Sequence, residues 1–158
     1  MEQAPGSAPD RAVINVDVEE KSTGSISIGA GFSTTSGAIG DITLRERNLL
    51  GRGQDIRARV LIAQRDSQVN LSFTEPYFLG REIAAGFDIF RVSVDRQDES
   101  SFDEKSYGGA LRFGYPITEH LTQSWRYSLR ETTIKDVPQD ASIFVREAEG
   151  SSLVSEVF

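Results

Sequence analysis

The sequence predicts an all-β fold, an antiparallel up-and-down meander of about seven to eight strands shaped as a partial transmembrane β-barrel. Three observations predict it. Apolar residues recur at every second position over segments of roughly ten residues. The alternate positions carry Ser, Gly and Arg, with Lys nearly absent. Aromatic residues gather near segment ends, at Phe32, Phe73, Tyr77, Phe78, Tyr107 and Tyr115, where the interfacial girdles of a barrel fall.

In chain order, residues 1–9 contain Pro5 and Pro9 among small residues and read as a flexible lead. Ala12, Ile14, Val16 and Val18 then share one face, opposite Asn15, Asp17 and Glu19, the pattern of a strand half-buried in water. From Gly24 the character changes. The stretch SISIGAGFSTTSGAIGDITL, residues 25–44, alternates, breaks at TTSG and alternates again. Its apolar faces are Ile26, Ile28, Ala30 and Phe32, then Ala38, Gly40, Ile42 and Leu44. Five more follow: Ile56, Ala58, Val60, Ile62; Val69, Leu71, Phe73; Ile83, Ala85, Phe87, Ile89; Tyr107, Gly109, Leu111, Phe113, Tyr115; and Leu121, Gln123, Trp125, Tyr127, Leu129. No charge falls on these faces. The opposite faces carry Ser25, Ser27, Asp41, Arg45, Arg57, Arg59, Asn70, Ser72, Asp88, Arg112, Arg126 and Arg130.

A soluble sandwich also alternates, but its polar face is exterior and favours Lys, Glu and Thr. Here the polar face suits a wet lumen and the apolar face suits lipid. On that reading Ile42, Leu44, Val60, Ile62, Leu71, Phe73, Phe87, Leu111, Phe113, Trp125 and Tyr127 face lipid, and Arg45, Arg57, Arg59, Arg112, Arg126 and Arg130 face the lumen, paired with acids such as Asp41 and Asp88. The stretches 93–105 and 131–142 are longer, acidic connections that fall on one side.

Bulk properties exclude several functions. Lys+Arg 17 against Asp+Glu 24 gives a formal net charge of −7, which argues against nucleic acid as a partner. Without cysteine there is no disulfide or thiolate chemistry. His120 is the only histidine and no Gly-x-Ser-x-Gly occurs, so neither a triad nor a zinc site can be built. The five carboxylates between Asp95 and Glu104 lack the spacing of a calcium loop. No catalytic residue, metal or cofactor is expected.

The segments VEEKSTGSISIGAGFSTTSG (18–37), RNLLGRGQ (47–54), TEPYFLGRE (74–82), KSYGGALRFGYPITE (105–119) and DASIFVRE (140–147) together resemble the BamA family of outer-membrane β-barrel assembly factors. The resemblance implies that residues 10–22 are the last strand of a periplasmic POTRA-like domain and that residues 23–158 are the N-terminal part of an outer-membrane barrel. Strands one to seven would lie within 24–131 and an eighth within 143–158. Turns at Asn48 to Gln54, Pro76 to Arg81 and Pro116 to His120 would sit in the periplasm of a Gram-negative cell. About half of the family's barrel and most of its POTRA set lie outside the match, so the chain resembles a fragment.

The resemblance also implies a function: folding and insertion of β-barrel proteins without nucleotide hydrolysis, at a weak seam bordered by the first barrel strand. That strand is Gly24, Ser25, Ile26, Ser27, Ile28, Gly29, Ala30, Gly31 and Phe32. Its glycines supply no side chains for cross-strand packing, or they relieve crowding at a bend; both readings stand at this point. The implied partners are outer-membrane lipids, unfolded β-barrel clients and accessory assembly lipoproteins. A polypeptide-secretion transporter of the same superfamily, and a soluble all-β binding module, are the alternatives.

Overall fold

The computed structural model describes residues 2–5, 12–16, 18–19, 21–95, 103–135, 137, 143–147 and 149–158. Strand β1 (Glu2–Pro5) pairs antiparallel with β2 (Ala12–Asn15) in a two-stranded sheet. The main sheet has eight strands: β3 (Gly24–Ser33), β4 (Gly37–Leu49), β5 (Gln54–Ala63), β6 (Asp66–Glu75), β7 (Ala84–Asp95), β8 (Asp103–Thr118), β9 (Leu121–Lys135) and β10 (Gly150–Val157). Each strand pairs antiparallel with its neighbour in sequence, so spatial order follows chain order from β3 to β10. A 3-10 turn at Phe78–Gly80 and a short helix, α1 (Ile143–Glu147), lie in the connections.

This is the meander expected, with four corrections. The flexible lead assigned to residues 1–9 contains β1, whose backbone pairs Glu2 with Asn15 through Pro5 with Ala12. The strand expected from Ala12 to Glu19 ends at Asn15, level with the four residues β1 offers as a partner. Beyond it Val16 and Val18 are exposed, and Asp17 lies outside the described residues. Pro116 and Ile117 belong to β8 rather than to a turn, with a register shift between Pro116 and Thr118. Finally, β7, β8 and β9 run on to Asp95, back to Asp103 and out to Lys135, into stretches read as loop. Alternation stops where the apolar band stops, whereas the backbone ladder needs no apolar side chain to continue.

Among the described residues the main sheet has no second layer to bury against. Among the described residues only Ala85 and Ala110 are buried hydrophobics. Ile26, Ile28, Phe32 and Ile62 are 63–78% exposed, and Leu44, Leu111, Trp125 and Tyr127 on the same face are exposed too. Leu71 and Phe73 are half-buried, with the Phe73 and Phe87 rings 5.7 Å apart on the outward face. A soluble sandwich would hide this face against another sheet, and in water it would be an uncovered apolar patch far beyond ordinary size.

The register supplies a second argument. Following Cα partners from Ile26 through Leu44, Ala58, Leu71, Ile89 and Gly109 leads to Leu129. Ile26 begins the apolar run of β3, whereas Leu129 ends that of β9. The band therefore slips along the ladder by roughly one residue per strand, which corresponds to strands tilted by about 35° from the normal of a flat slab. Tilted barrel strands crossing a bilayer require this slip, and burial in a sandwich core does not.

The connections 50–53, 76–83 and 119–120 share one end of the sheet. There Leu50-Gly51 and Leu79-Gly80 have positive φ at all four residues (56°, 72°, 58° and 70°), and each pair sits inside a tight turn closed by Arg52 N–H to Leu49 O (3.2 Å) or Arg81 N–H to Phe78 O (3.3 Å). These turns let long strands reverse without leaving the sheet.

An uncovered apolar face makes folding depend on lipid. On dilution from urea, the chain is expected to give a β-strand far-UV circular dichroism signal and protease protection with thin-bilayer vesicles but not in buffer. A folded, monomeric domain in buffer alone would contradict the lipid-facing assignment.

Candidate functional site

All nine residues singled out for the seam lie in β3, and the structure places them at the edge of the sheet. β3 pairs with β4 from Gly24↔Glu46 to Ser33↔Gly37; among the described residues its other side has no partner strand. At one end the Thr23 hydroxyl bonds the Glu46 carboxylate. At the other the Ser33 hydroxyl accepts from the backbone N–H of Thr35 (3.2 Å) and Ser36 (3.3 Å), closing the turn into β4. The strand is pinned at its ends and open along its length.

The glycines separate the two readings left open by the sequence. A Cβ on Gly31 would meet nothing within 4 Å, and one on Gly29 would make only an ordinary 3.7 Å contact with Asp41 Cβ. Crowding does not require glycine there. Gly24 differs, because its Cβ would come within 2.8 Å of Glu46 Oε2, the end of a flexible side chain. Inside the sheet the case is reversed: a Cβ on Gly86 would lie 2.6 Å from Phe73 O, and one on Gly108 2.2 Å from Leu129 O and 2.9 Å from Phe90 Cζ. Gly86 and Gly108 make room for neighbours, Gly40 and Gly114 inside the sheet are uncrowded with nearest atoms at 3.9 and 3.8 Å, and Gly29 and Gly31 leave the edge strand thinly packed.

The polar face carries the six arginines, and most are paired. Arg59 Nε meets Asp41 at 2.6 Å. Asp88 is shared: Arg112 Nε lies 3.0 Å and Arg126 Nη2 3.4 Å from its Oδ2, while the Ser72 hydroxyl donates to its Oδ1 at 2.7 Å. Arg112 Nε is too poorly aligned to count as a hydrogen bond to Asp88, but its Nη2 donates to Ser72 Oγ and Thr74 Oγ1, both at 3.1 Å. Arg45 pairs with Asp55 at 2.6 Å, an acid that the sequence reading missed although it shares the alternation of Arg57. Arg130 sits over the Phe90 ring, 5.3 Å from its centroid. Arg57 is exposed and makes no ion pair among the described residues. These pairs are a quarter to half exposed, so each contributes at most about 1 kcal/mol; Asp88, with one hydroxyl donor and two guanidinium groups around it, is the exception.

At the other edge β10 pairs, among the described residues, only with β9. Phe158 extends that ladder, its N–H and carbonyl bonding the Arg126 backbone at 2.9 and 3.0 Å.

One tilted sheet, apolar outside and ion-paired inside, with an open edge at each end of its strand order, is part of the wall of a transmembrane β-barrel; this overturns the soluble binding module. Residues 48–155 match the Omp85 superfamily domain, and the chain belongs to that superfamily. Over 156 residues it is 29% identical to the outer membrane protein assembly factor BamA of Nitratidesulfovibrio vulgaris, covering 98% of this chain and 19% of that protein. Over 116 residues it is 28% identical to BamA of Neisseria meningitidis, covering 71% of this chain and 15% of that one. The crystal structure of BamA from Haemophilus ducreyi lacking POTRA domains 1-3 superposes with a TM-score of 0.62 at 22% identity, over 89% of this chain and 29% of that one. The chain spans 15–20% of the length of the curated relatives it matches.

Two expectations follow. Gly31→Ala should change stability by no more than about 0.5 kcal/mol, whereas Gly108→Ala should cost at least about 2 kcal/mol, read as urea unfolding midpoints of vesicle-folded protein. Asp88→Ala leaves Arg112 and Arg126 facing each other and should cost about 1–3 kcal/mol, more than Asp41→Ala at about 1 kcal/mol or less, by the same measurement.

Proposed function

We propose that this chain is the client-facing part of an outer-membrane protein assembly factor, which folds and inserts β-barrel proteins through the open edge of β3. The chain is an outer-membrane barrel segment, with the turns at 50–53, 76–83 and 119–120 toward the periplasm and those at 34–36 and 64–65 toward the cell exterior. Residues 10–22 enter from the periplasmic side as the end of a POTRA-like domain. The partners are outer-membrane lipids and unfolded β-barrel clients, and a longer protein of this kind would also meet accessory lipoproteins.

One observation carries the reading: an edge strand whose outer side has no partner among the described residues and whose Gly29 and Gly31 are not required by packing. The mechanism is β-augmentation. About half of the backbone groups of β3 point to its open side, and an unsatisfied polar group in hydrocarbon costs several kcal/mol. A client strand arriving with its own free N–H and C=O groups relieves both costs at once. Recognition through the backbone is largely independent of client sequence. Because thin side-chain packing makes the new pairing weak beyond its hydrogen bonds, the client can be exchanged for its own strands as its barrel closes. The driving force is backbone satisfaction and lipid burial, so no nucleotide hydrolysis is needed and no residue acts as a catalyst.

The absence of cysteine gives a clean test. Ile28→Cys on the open edge and Val60→Cys in the interior strand β5 are placed in vesicle-folded protein, and an unfolded β-barrel client with one cysteine in its terminal strand is added. Disulfide capture is expected several-fold more at position 28 than at position 60, falling when Gly29 and Gly31 are both replaced by Val. Equal capture at the two positions would refute the seam.

A further inference from the structure

The outward face does not end at its apolar band. On β7 the run Phe87, Ile89 continues to Arg91 and Ser93, and on β8 the run Leu111, Gly109, Tyr107 continues to Lys105, with no register shift between these strands. Arg91 pairs across the ladder with Val69 and Tyr107. Lys105 pairs with Ser93 and Thr133, and Ser93 in turn with Ser67 of β6. Side chains on directly and diagonally paired positions of one face are neighbours. Arg91, Lys105, Ser93 and Ser67 therefore form one patch immediately past the last apolar residues, beside the half-exposed Tyr107 ring.

Both cations are exposed, and neither has an ion-pair partner among the described residues. The acids on the same face make no ion pair with either cation among the described residues. Glu131 accepts from the Tyr107 and Ser151 hydroxyls, and Asp95 and Asp103, one pair further out, have interactions of their own. The opposite rim of this face is different in kind. There the outward acids are held within the chain, Glu46 by Thr23 and the Asn48 N–H, and Glu75 by Gln54 and the Tyr77 N–H, with the exposed Arg52 of the adjoining turn acting on Glu75.

We propose that Arg91 and Lys105, flanked by the Ser93 and Ser67 hydroxyls, bind the phosphate of an anionic lipid headgroup in the outer leaflet. A guanidinium and an ammonium with adjacent hydroxyls supply the donors that a phosphate accepts. Their height sets the ligand: a side chain just beyond a lipid-facing apolar band, level with a girdle aromatic, stands at the headgroup layer. The patch would fix the vertical position of β7 and β8 and gather anionic lipid beside the barrel. This site rests on the membrane reading of the chain.

The test uses the chain in vesicles with Ser155→Cys labelled by a donor dye, on the same face as the patch, paired with Leu129 and two strands away from Lys105. The vesicles are phosphatidylcholine with a minor fraction of acyl-labelled phosphatidylglycerol or, separately, acyl-labelled phosphatidylethanolamine. Energy transfer is expected to report about fivefold enrichment of the anionic lipid per cation, no enrichment of the zwitterionic one, and loss of the effect in Arg91→Gln/Lys105→Gln. In the unsubstituted patch the enrichment should also fall as sodium chloride is raised, a readout that does not depend on the double variant folding. Equal enrichment of both lipids, or enrichment unchanged by salt or by the double substitution, would overturn the site while leaving the inserted barrel intact. Displacement by inorganic phosphate at matched ionic strength would assign the patch to free phosphate instead and overturn the lipid proposal. Failure to insert, read by circular dichroism and protease protection, would remove the membrane reading and the site with it.

Discussion

Backbone hydrogen bonding in a medium that offers no water is the constraint from which the rest of this structure follows. Each strand from β4 to β9 pairs on both sides through antiparallel ladders, with register shifts at Glu46/Leu49 and Pro116/Thr118 near one end of the sheet, and such pairing is the condition for β-structure to exist in hydrocarbon. Short reversals between neighbours keep the ladders continuous. The same constraint turns the unpaired sides of β3 and β10 into the most consequential places in the described sheet, because groups left without partners there carry the full cost of desolvation.

Side chains then divide the labour between two solvents. The outward face is stabilised by transfer from water to lipid and needs no jigsaw packing against a second layer, which is why large residues such as Ile28 and Trp125 remain exposed in the isolated sheet. The inward face is wet, so arginine is tolerated there when an acid is near. Asp88 shows how this is arranged: Ser72, Arg112 and Arg126 come from β6, β8 and β9 to meet an acid on β7, tying four strands together across the luminal side. Such ties oppose shear between strands that hydrogen bonds alone would allow to slide.

The glycines illustrate how one residue type serves opposite purposes. At Gly86 and Gly108 the neighbouring carbonyls come so close that a side chain has no space, and the Phe90 ring with Arg130 above it fills the gap beside Gly108. At Gly29 and Gly31 the space is free and left unused. The first arrangement fixes strands together. The second leaves β3 joined to β4 mainly by its ladder, the condition under which an edge can exchange partners.

The alternation of apolar and small or polar residues, read along the chain alone, determined the all-β class, the seven strands from β3 to β9, the apolar face of each and the arginines that share the opposite face. Those features are local, since a period of two is written into neighbouring residues and survives whatever the strands pair with. Only the tertiary structure decided which acid each arginine meets, that Asp55 takes Arg45, that Arg57 has none among the described residues, and which glycines are crowded. These depend on register between strands, and no residue within one strand records what stands beside it in the next. The lengths of β7, β8 and β9 past the apolar band escaped the pattern for a related reason: there the backbone continues to pair after the side chains have stopped reporting which solvent they face.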